Sequence, residues 1–253
     1  MTQLAKSGRY LYAVVPGPAA PVYAFKGLEG KAVYTITNGK VAAVVSDVPN
    51  EKIRPERRHL AAQQAVLKGL MQAAPALLPM AFGIIADGPK AVQEILTRNH
   101  DILARQLQRV AGKVEMGLRV SLDVPNIFEY FVTTHPGLRA ARDRFLGPHR
   151  HPSQDDKIEL GRMFDRLLQE DREAYTERVE EILSPCCFEI KRNRCRHEGE
   201  VMNLACLVGR QAGAQAAFEA GVFVAARLFD NNFAFDYNGP WAPHNFVELN
   251  LEL

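Results

Sequence analysis

The residues of this chain most able to do chemistry are the cysteines and a histidine between positions 186 and 206. Cys195 lies in the basic run 192–197 (RNRCRH), and nearby positive charge lowers the pKa of a thiol. Cys195 is therefore the most reactive-looking thiol, and the nucleophile if the protein is a thiol-dependent enzyme. The interpretation that we favour is an exposed hairpin loop with incidental basic residues, since the sequence specifies no Cys-His-acid arrangement.

The same region holds the atom types that bind zinc, in Cys186, Cys187, Cys195, His197 and Cys206. The spacing lacks the Cys-x-x-Cys pair of a zinc knuckle. Neighbouring side chains on a strand point to opposite faces, so Cys186 and Cys187 would not easily reach one ion. We favour small buried thiols on a hairpin, and we keep metal binding or thiol chemistry in the 186–206 region as the alternative function.

Other signatures of catalysis and ligand binding are absent from the sequence. It contains no GxxxxGKS/T or GxGxxG phosphate loop, and no GxSxG or HExxH motif. The carboxylate pairs Asp155-Asp156 and Glu180-Glu181 are adjacent on helices and do not face one another. We therefore expect no catalytic residues, no metal ligands and no cofactor, and we expect the protein not to be an enzyme.

The composition is that of an ordinary globular protein. The 253 residues are 47% hydrophobic and 24% charged, and 31 basic against 29 acidic residues leave a net charge of +2. So small an excess gives no support to nucleic-acid binding. Four cysteines, with neither a secretory signal nor an apolar stretch long enough to span a membrane, predict a cytoplasmic protein.

The first half of the chain predicts an α+β arrangement. Asn38-Gly39 indicates a type I′ hairpin turn, Asp87 is expected to cap a helix, and Leu60, Gln64, Leu67 and Met71 recur at helical spacing. The predicted elements are strands at 10–15, 32–37 and 41–45, a helix between Pro55 and Pro75, a strand at 77–85, and a helix over 92–110.

The second half predicts a split βαββαβ pattern, if two successive helices count as one crossover. Its elements are a strand at 118–122, helices over 126–146 and 153–183 separated by a breaker at 147–152, strands at 186–191 and 203–208, an Ala/Gly-rich helix over 211–227 suited to close packing on a sheet, a strand at 233–235, a turn at 238–240 and a strand at 247–253.

These patterns predict an α+β protein of two packed domains. Residues 1–112 form an N-terminal α+β domain, and residues 113–253 form a ferredoxin-like domain with an extra helix in its first crossover. A C-terminal strand or tail, about 238–253, is a candidate to pack on the N-terminal domain.

Four stretches lie in order along the chain: residues 10–15 (YLYAVV), 78–83 (LPMAFG), 114–120 (VEMGLRV) and 238–247 (NGPWAPHNFV). They resemble the opening strand, the L-P-x-R-F-G strand, a central strand and the closing G-P-W motif of the gas vesicle protein F/L family. Ala81 replaces the usual Arg, Ala13 replaces a common Gly, and Asn245 lies in the aromatic-rich tail. The motif residues are Tyr10, Tyr12, Leu78, Pro79, Phe82, Gly83, Gly239, Pro240, Trp241 and Phe246.

The resemblance implies a role in the formation of gas vesicles. Such a protein is a non-enzymatic minor structural or assembly component that binds the small hydrophobic shell protein, and other gas vesicle accessory proteins are further expected partners. It is cytoplasmic and associated with the gas vesicle. The family is also associated with two α+β domains, one of them ferredoxin-like, as the periodicity predicts. A helper for a hydrophobic subunit needs an exposed apolar surface, which the sequence does not locate.

Overall fold

The computed structural model describes residues 7–20, 22–147 and 152–249. It is a mixed α+β structure with two sheets, and its contacts divide it into two compact units. Unit 1 holds the described residues of 1–115, 209–211 and 239–253, and unit 2 holds the described residues of 116–208 and 212–238.

A six-stranded sheet forms the centre of unit 1. Its strand order is β2-β3-β4-β1-β5, and β6 also pairs with β1. The strands are β1 (Ser7–Pro16), β2 (Val22–Lys26), β3 (Ala32–Asn38), β4 (Val41–Pro49), β5 (Leu78–Pro79) and β6 (Ile85–Ala86). β1 pairs with β4, β5 and β6, so the predicted strand at 10–15 is confirmed and proves to be a central one.

Strand β1 supplies side chains to both faces of this sheet. Tyr10 and Tyr12 lie in one buried cluster, and Leu11 and Val14 lie in the other. The register with β4 shifts between Leu11 and Ala13, which makes Tyr12 the extra residue of a bulge. The two faces are therefore both covered, and every residue from Tyr10 to Val15 is at most 2% exposed.

The hairpin between β3 and β4 is confirmed, but its turn type is not the predicted one. Asn38 pairs with Val41, so the two-residue loop is Gly39-Lys40. Gly39 has φ 61° and Lys40 is not among the positive-φ residues. A positive φ at the first central residue alone is the sign pattern of type II′ rather than type I′.

Three helices belong to unit 1: α1 (Arg57–Ala73), α2 (Pro89–Arg98) and α3 (His100–Val110). The predicted face of α1 is right at Leu67, which is buried, and at Met71, which packs against the core, but Leu60 is 42% exposed and Gln63 is buried in place of Gln64. The predicted helix over 92–110 is two helices, because Asn99 leaves helical geometry and its side-chain amide donates to the Ile95 carbonyl. Gly88, and not Asp87, is the N-cap of α2.

The segment 77–85 is likewise not one strand. It forms β5, a turn, and the first residue of β6, and Gly83 has φ 89° within the turn.

The second sheet has four strands in the order β10-β7-β9-β8. They are β7 (Lys113–Leu122), β8 (Glu189–Arg192), β9 (Glu200–Gly209) and β10 (Phe233–Trp241). Four helices accompany them: α4 (Ile127–Thr134), α5 (Pro136–Leu146), α6 (Gln154–Leu183) and α7 (Ala212–Ala226). Ser153 and Asp156 form a capping box at the start of α6, where the sequence predicts the longest helix to begin.

Several predictions for the second half are wrong. Cys186 and Cys187 precede β8 in a short 3₁₀ turn and its cap. Residues 238–240 continue β10 and do not form a turn. Residues 247–249 follow a 3₁₀ turn and are not in a strand, while the rest of the predicted last strand, 250–253, and positions 148–151 of the breaker lie outside the described residues. No described helix is long and apolar enough to cross a membrane.

Candidate functional site

Half of the ten motif residues are buried in unit 1. Tyr10, Tyr12, Leu78 and Phe246 are 0% exposed, and Pro79 is buried as well. Phe82 is half-buried and packs edge-on against Tyr10, with ring centroids 6.0 Å apart.

The Tyr10 hydroxyl is the centre of a buried hydrogen-bond network. It donates to Oε1 of Gln63 at 2.6 Å and accepts the Gly83 N–H at 3.1 Å. The Gln63 side-chain amide in turn donates to the Met80 carbonyl at 3.1 Å. Burial raises the pKa of Tyr10 to about 12. The segment at 78–80 and the turn at Gly83 are thus tied to α1 and β1 through one phenol.

The Tyr12 hydroxyl performs a similar role on the loop before β3. It accepts the Leu28 N–H at 2.8 Å and donates to Oγ of Ser46 at 3.2 Å, and Ser46 donates to the Ala32 carbonyl at 2.7 Å. A Cβ on Gly27 would lie 2.1 Å from this hydroxyl, so only glycine fits there. Burial raises the pKa of Tyr12.

The closing motif is divided between exposed and buried residues. Gly239, Pro240 and Trp241 are exposed, whereas Phe246 is fully buried. Asn245 donates its backbone N–H to Oε2 of Glu115 at 2.8 Å and its side-chain amide to Oε1 at 2.7 Å.

Glu115 thereby anchors the tail of unit 1. It is 7% exposed, and burial raises its pKa, against the two hydrogen bonds from Asn245. Glu115 and Gln63 have no signal in the sequence that marks them as buried partners of residues 130 and 53 positions away.

The predicted lowering of the Cys195 pKa is wrong. The thiol is half-buried and donates to the Val201 carbonyl at 3.6 Å. Burial raises its pKa and Glu200 raises it further, although Arg172 acts in the opposite direction. Burial outweighs the basic run, in which the Arg192 guanidinium is paired with Glu180 and Glu173. The thiol is therefore less nucleophilic than a free cysteine at neutral pH.

The remaining thiols are equally unsuited to nucleophilic chemistry. Burial raises the pKa of Cys186 to about 11. The pKa of Cys187 is raised further, first by its hydrogen bond with Cys206 and then by burial. In the part of the chain that the structure describes, no three His, Cys, Asp or Glu side chains converge in a way that could hold a metal ion.

The basic run 192–197 borders a polar cavity of about 540 Å³ in unit 2. Arg192 makes a two-pronged ion pair with Glu180, with both N–O distances at 2.7 Å, and also contacts Glu173. Arg172 donates to the carbonyls of His197, Glu198 and Glu200 at 3.2, 2.8 and 3.1 Å.

A buried ion pair supports the same loop. Glu200 is 0% exposed, lies 2.8 Å from Nε of Arg119, and accepts the Arg196 N–H. These charges hold the loop in place and form no acid, base and nucleophile arrangement.

The exposed side of α7 is the most unusual surface of unit 2. Its sequence has one charged residue, Glu219. Phe223, Val224 and Leu228 are 60%, 51% and 45% exposed, and Phe223 meets Tyr237 edge-on at 6.2 Å. The surface, which we name the α7 apolar stripe, consists of exposed residues on one side of the helix and one just beyond its end: Gly213, Ala216, Ala217, Ala220, Phe223, Val224 and, two residues after the helix, Leu228.

This stripe corrects the predicted role of the small residues in the helix. Phe218, Val222 and Ala225 are its buried residues, whereas most of the alanines face outward. Aromatic and aliphatic side chains this exposed, on a helix with so little charge, are typical of an interaction surface. We take the α7 apolar stripe as the candidate functional site.

Comparisons with known proteins agree on one family over nearly all of the chain. The family described as gas vesicle synthesis protein GvpL/GvpF matches residues 8–248. Gas vesicle protein F of Nostoc sp. is 25% identical over 245 residues, which cover 96% of this chain and 99% of that protein. Gas vesicle protein F of Streptomyces sp. is 28% identical over 222 residues, covering 85% and 88% of the two chains.

Solved structures show the same fold. The crystal structure of gas vesicle protein GvpF from Anabaena sp. superposes with a TM-score of 0.84 at 24% identity, covering 96% of this chain and 99% of that one. The structure of GvpF from Microcystis aeruginosa superposes with a TM-score of 0.79 at 21% identity, with the same coverage.

Proposed function

This chain belongs to the gas vesicle GvpL/GvpF family, and from that premise we propose that it is a non-enzymatic minor structural or assembly component of gas vesicles. Its proposed partner is the small hydrophobic shell protein, with other gas vesicle accessory proteins as further partners. It would act in the cytoplasm, associated with the growing vesicle. The relatives that support this role are named gas vesicle protein F, and they align with this chain over nearly their full length.

The α7 apolar stripe is the observation that carries this proposal. A strongly apolar subunit needs an apolar surface to cover it before it is incorporated, and a polar catalytic pocket would not serve that purpose. Phe223 supplies a large rigid side chain of the kind that dominates the binding energy at interfaces. The exposed alanines beside it would let a partner helix approach closely.

The structure weakens the thiol-enzyme alternative. Cys195, its nucleophile, has a raised pKa, and its thiol donates to the Val201 carbonyl.

We also propose that the chain is organised as the sequence predicts, with a first domain over 1–112 and a ferredoxin-like domain within 113–253. The strand order β10-β7-β9-β8 supports the second part of this proposal. In this sheet β10, the last strand in sequence, lies beside β7, the first. β9, the third strand, lies between β7 and β8, the second, as a split βαββαβ unit requires.

Binding is tested by co-expressing the tagged chain with the shell protein and measuring how much shell protein co-purifies. Phe223→Asp should reduce recovery roughly ten-fold, because it places a charge in an apolar contact. Ile158→Asp is the matched control, since Ile158 is also apolar and 42% exposed but lies on α6. Both variants should stay within about 1 kcal/mol of the parent in free energy of unfolding.

The outcomes separate the parts of this proposal. If Phe223→Asp binds like the parent, the α7 apolar stripe is not the site. If the parent itself neither captures the shell protein nor remains on washed vesicles probed with a specific antibody, the proposed function is wrong.

A further inference from the structure

Unit 1 contains a cleft that is a second candidate site. Its volume is about 440 Å³, and it lies where the turn at 28–30, the end of β4 and the start of α1 meet. The residues that line it are Leu28, Glu29, Val48, Pro49, Glu51, Lys52, Ile53, Arg54, Glu56 and His59.

One buried imidazole nitrogen in this cleft makes no hydrogen bond to any residue that the structure describes. His59 is 7% exposed, and its Nδ1 lies 2.9 Å from the Arg54 carbonyl oxygen. A carbonyl only accepts hydrogen bonds, so Nδ1 carries the hydrogen and Nε2 of the neutral ring presents a lone pair. Within the described residues, Nε2 is buried and has no hydrogen-bond partner.

A carboxylate oxygen of Glu29, which also accepts hydrogen bonds, lies near this lone pair. Oε1 of Glu29 lies 3.9 Å from Nε2 of His59. Two acceptors cannot hydrogen-bond to each other, so a donor placed between them would satisfy both. A buried acceptor that stays unsatisfied costs about 1–3 kcal/mol. One nitrogen can lie about 2.9 Å from both atoms, the ordinary N–H···O distance.

The remainder of the cleft selects among possible donors. Leu28 and Val48 form an apolar floor at 1% and 7% exposure, with Ile53 half-buried beside them. Three carboxylates and two basic side chains line the rim. An apolar floor that leads to paired acceptors matches a side chain with an aliphatic stem and a compact cationic end.

We propose that this cleft binds the lysine side chain of a partner protein, with its ammonium group held between His59 and Glu29. The ammonium is a compact charge with three donors on a four-carbon stem, so one N–H reaches Nε2 and another reaches the carboxylate. This inference goes beyond the proposed function and does not rest on it, because it requires only a partner with an accessible lysine. A metal ion would fit less well, since no three ligating side chains converge in the described chain.

The test is a titration of the isotopically labelled full chain at neutral pH, followed by the ¹⁵N resonances of the His59 ring. The probe is Nα-acetyl-lysine N-methylamide, and the comparison compound is the norleucine analogue, which has the same stem without the charge. A saturable shift of Nε2 with the lysine compound, and little or none with the norleucine compound, is expected. Zinc chloride is titrated separately.

Two variants link the shift to the proposed geometry. Glu29→Gln should weaken binding of the lysine compound about ten-fold, as expected for loss of a charge-assisted hydrogen bond. Glu56→Gln is the matched control and should change it little, because the Glu56 carboxylate is paired with Arg58 at 2.9 Å.

Three results would overturn the proposal: no saturable shift with the lysine compound, an equal shift with norleucine, or tight binding of zinc in place of the amine. Thermal unfolding of each variant verifies that the chain remains folded. Because the isolated chain is used, none of these results bears on binding of the shell protein.

Discussion

Replacing Tyr10 by phenylalanine tests whether the motif residues act through the stability of unit 1. The change keeps the ring and its contacts with Tyr12 and Phe82, and it removes one hydroxyl. That loss leaves Oε1 of Gln63 and the Gly83 N–H without their partner in the core. At about 1–3 kcal/mol for each unsatisfied group, the full range is about 2–6 kcal/mol, and we expect the lower part, about 2–4 kcal/mol, because Gly83 is exposed and water can reach its N–H.

Urea unfolding measures this loss directly. Circular dichroism follows the whole chain, and the fluorescence of Trp241, the one tryptophan in the sequence, is a second signal. With an m value of about 2 kcal/mol/M, the midpoint should fall by about 1–2 M. Tyr34→Phe is the control, because Tyr34 is half-buried and its acceptor, Asp47, keeps a salt bridge with Arg9. Its expected cost is about 1 kcal/mol or less.

Alkaline pH provides a second measure of the same hydroxyl. Burial raises the pKa of Tyr10 to about 12, so the unfolded chain ionises first as the pH rises past about 10. The contribution of the neutral phenol to the free energy of unfolding is complete below about pH 10 and is lost as the pH rises towards 12. The stability difference between the parent and Tyr10→Phe should therefore shrink over this range. A loss under about 0.5 kcal/mol at neutral pH, or a difference that does not change with pH, would refute the network argument.

Three further predictions concern other buried groups. Glu115→Ala should cost about 1–2 kcal/mol in urea unfolding, because it removes two charge-assisted hydrogen bonds from Asn245, which is itself exposed so that its freed donors can bind water; equal midpoints for variant and parent would contradict this. Arg119→Met should cost about 3 kcal/mol, since Glu200 would remain buried without its cation, and removing both charges together should cost less than the single change. Iodoacetamide should modify Cys195 at neutral pH more slowly than it modifies free cysteine, and faster alkylation would restore the nucleophile hypothesis.

Local patterns account for the elements that the sequence predicts well. The alternation of Leu118, Val120 and Leu122 matches the burial of β7. The β3–β4 hairpin follows from β-forming runs around Asn38-Gly39, and α6 begins one residue after its Ser153 cap. In each case the deciding interactions lie within a few residues, where spacing and residue type report on them.

The errors arise where distant residues decide the outcome. Gln63 on α1 faces the core of unit 1 because the phenol of Tyr10, 53 positions earlier, binds it. The apolar residues of the helix alone therefore do not show that this polar side chain is buried. Asn99 divides a continuous apolar pattern by bonding to a carbonyl of the preceding turn. The pKa of Cys195 follows burial, and charge near it in the sequence does not determine its environment in the fold.

The candidate site on α7 also could not be predicted from local sequence alone. The alanines and glycines of α7 predict close packing on a sheet, yet most of them are exposed. Composition identifies the helix as apolar, but only the tertiary structure shows which side is covered. The cleft at His59 gives no local signal at all, because Glu29 reaches it from a turn 30 residues earlier.

The motif residues and the proposed binding surfaces have separate physical roles. The hydroxyls of Tyr10 and Tyr12 each give their one hydrogen to a partner inside unit 1 and accept a backbone N–H there. A partner protein could recruit these groups only by breaking the core, at a cost of several kcal/mol. Substitutions at the buried motif residues should therefore reduce binding only in proportion to the loss of folded chain. Substitutions at Phe223 or Glu29, which are exposed, should reduce binding at unchanged stability. Measuring unfolding and binding on the same variants separates the two roles, because a motif variant that binds less while remaining fully folded would place the partner on the motif itself.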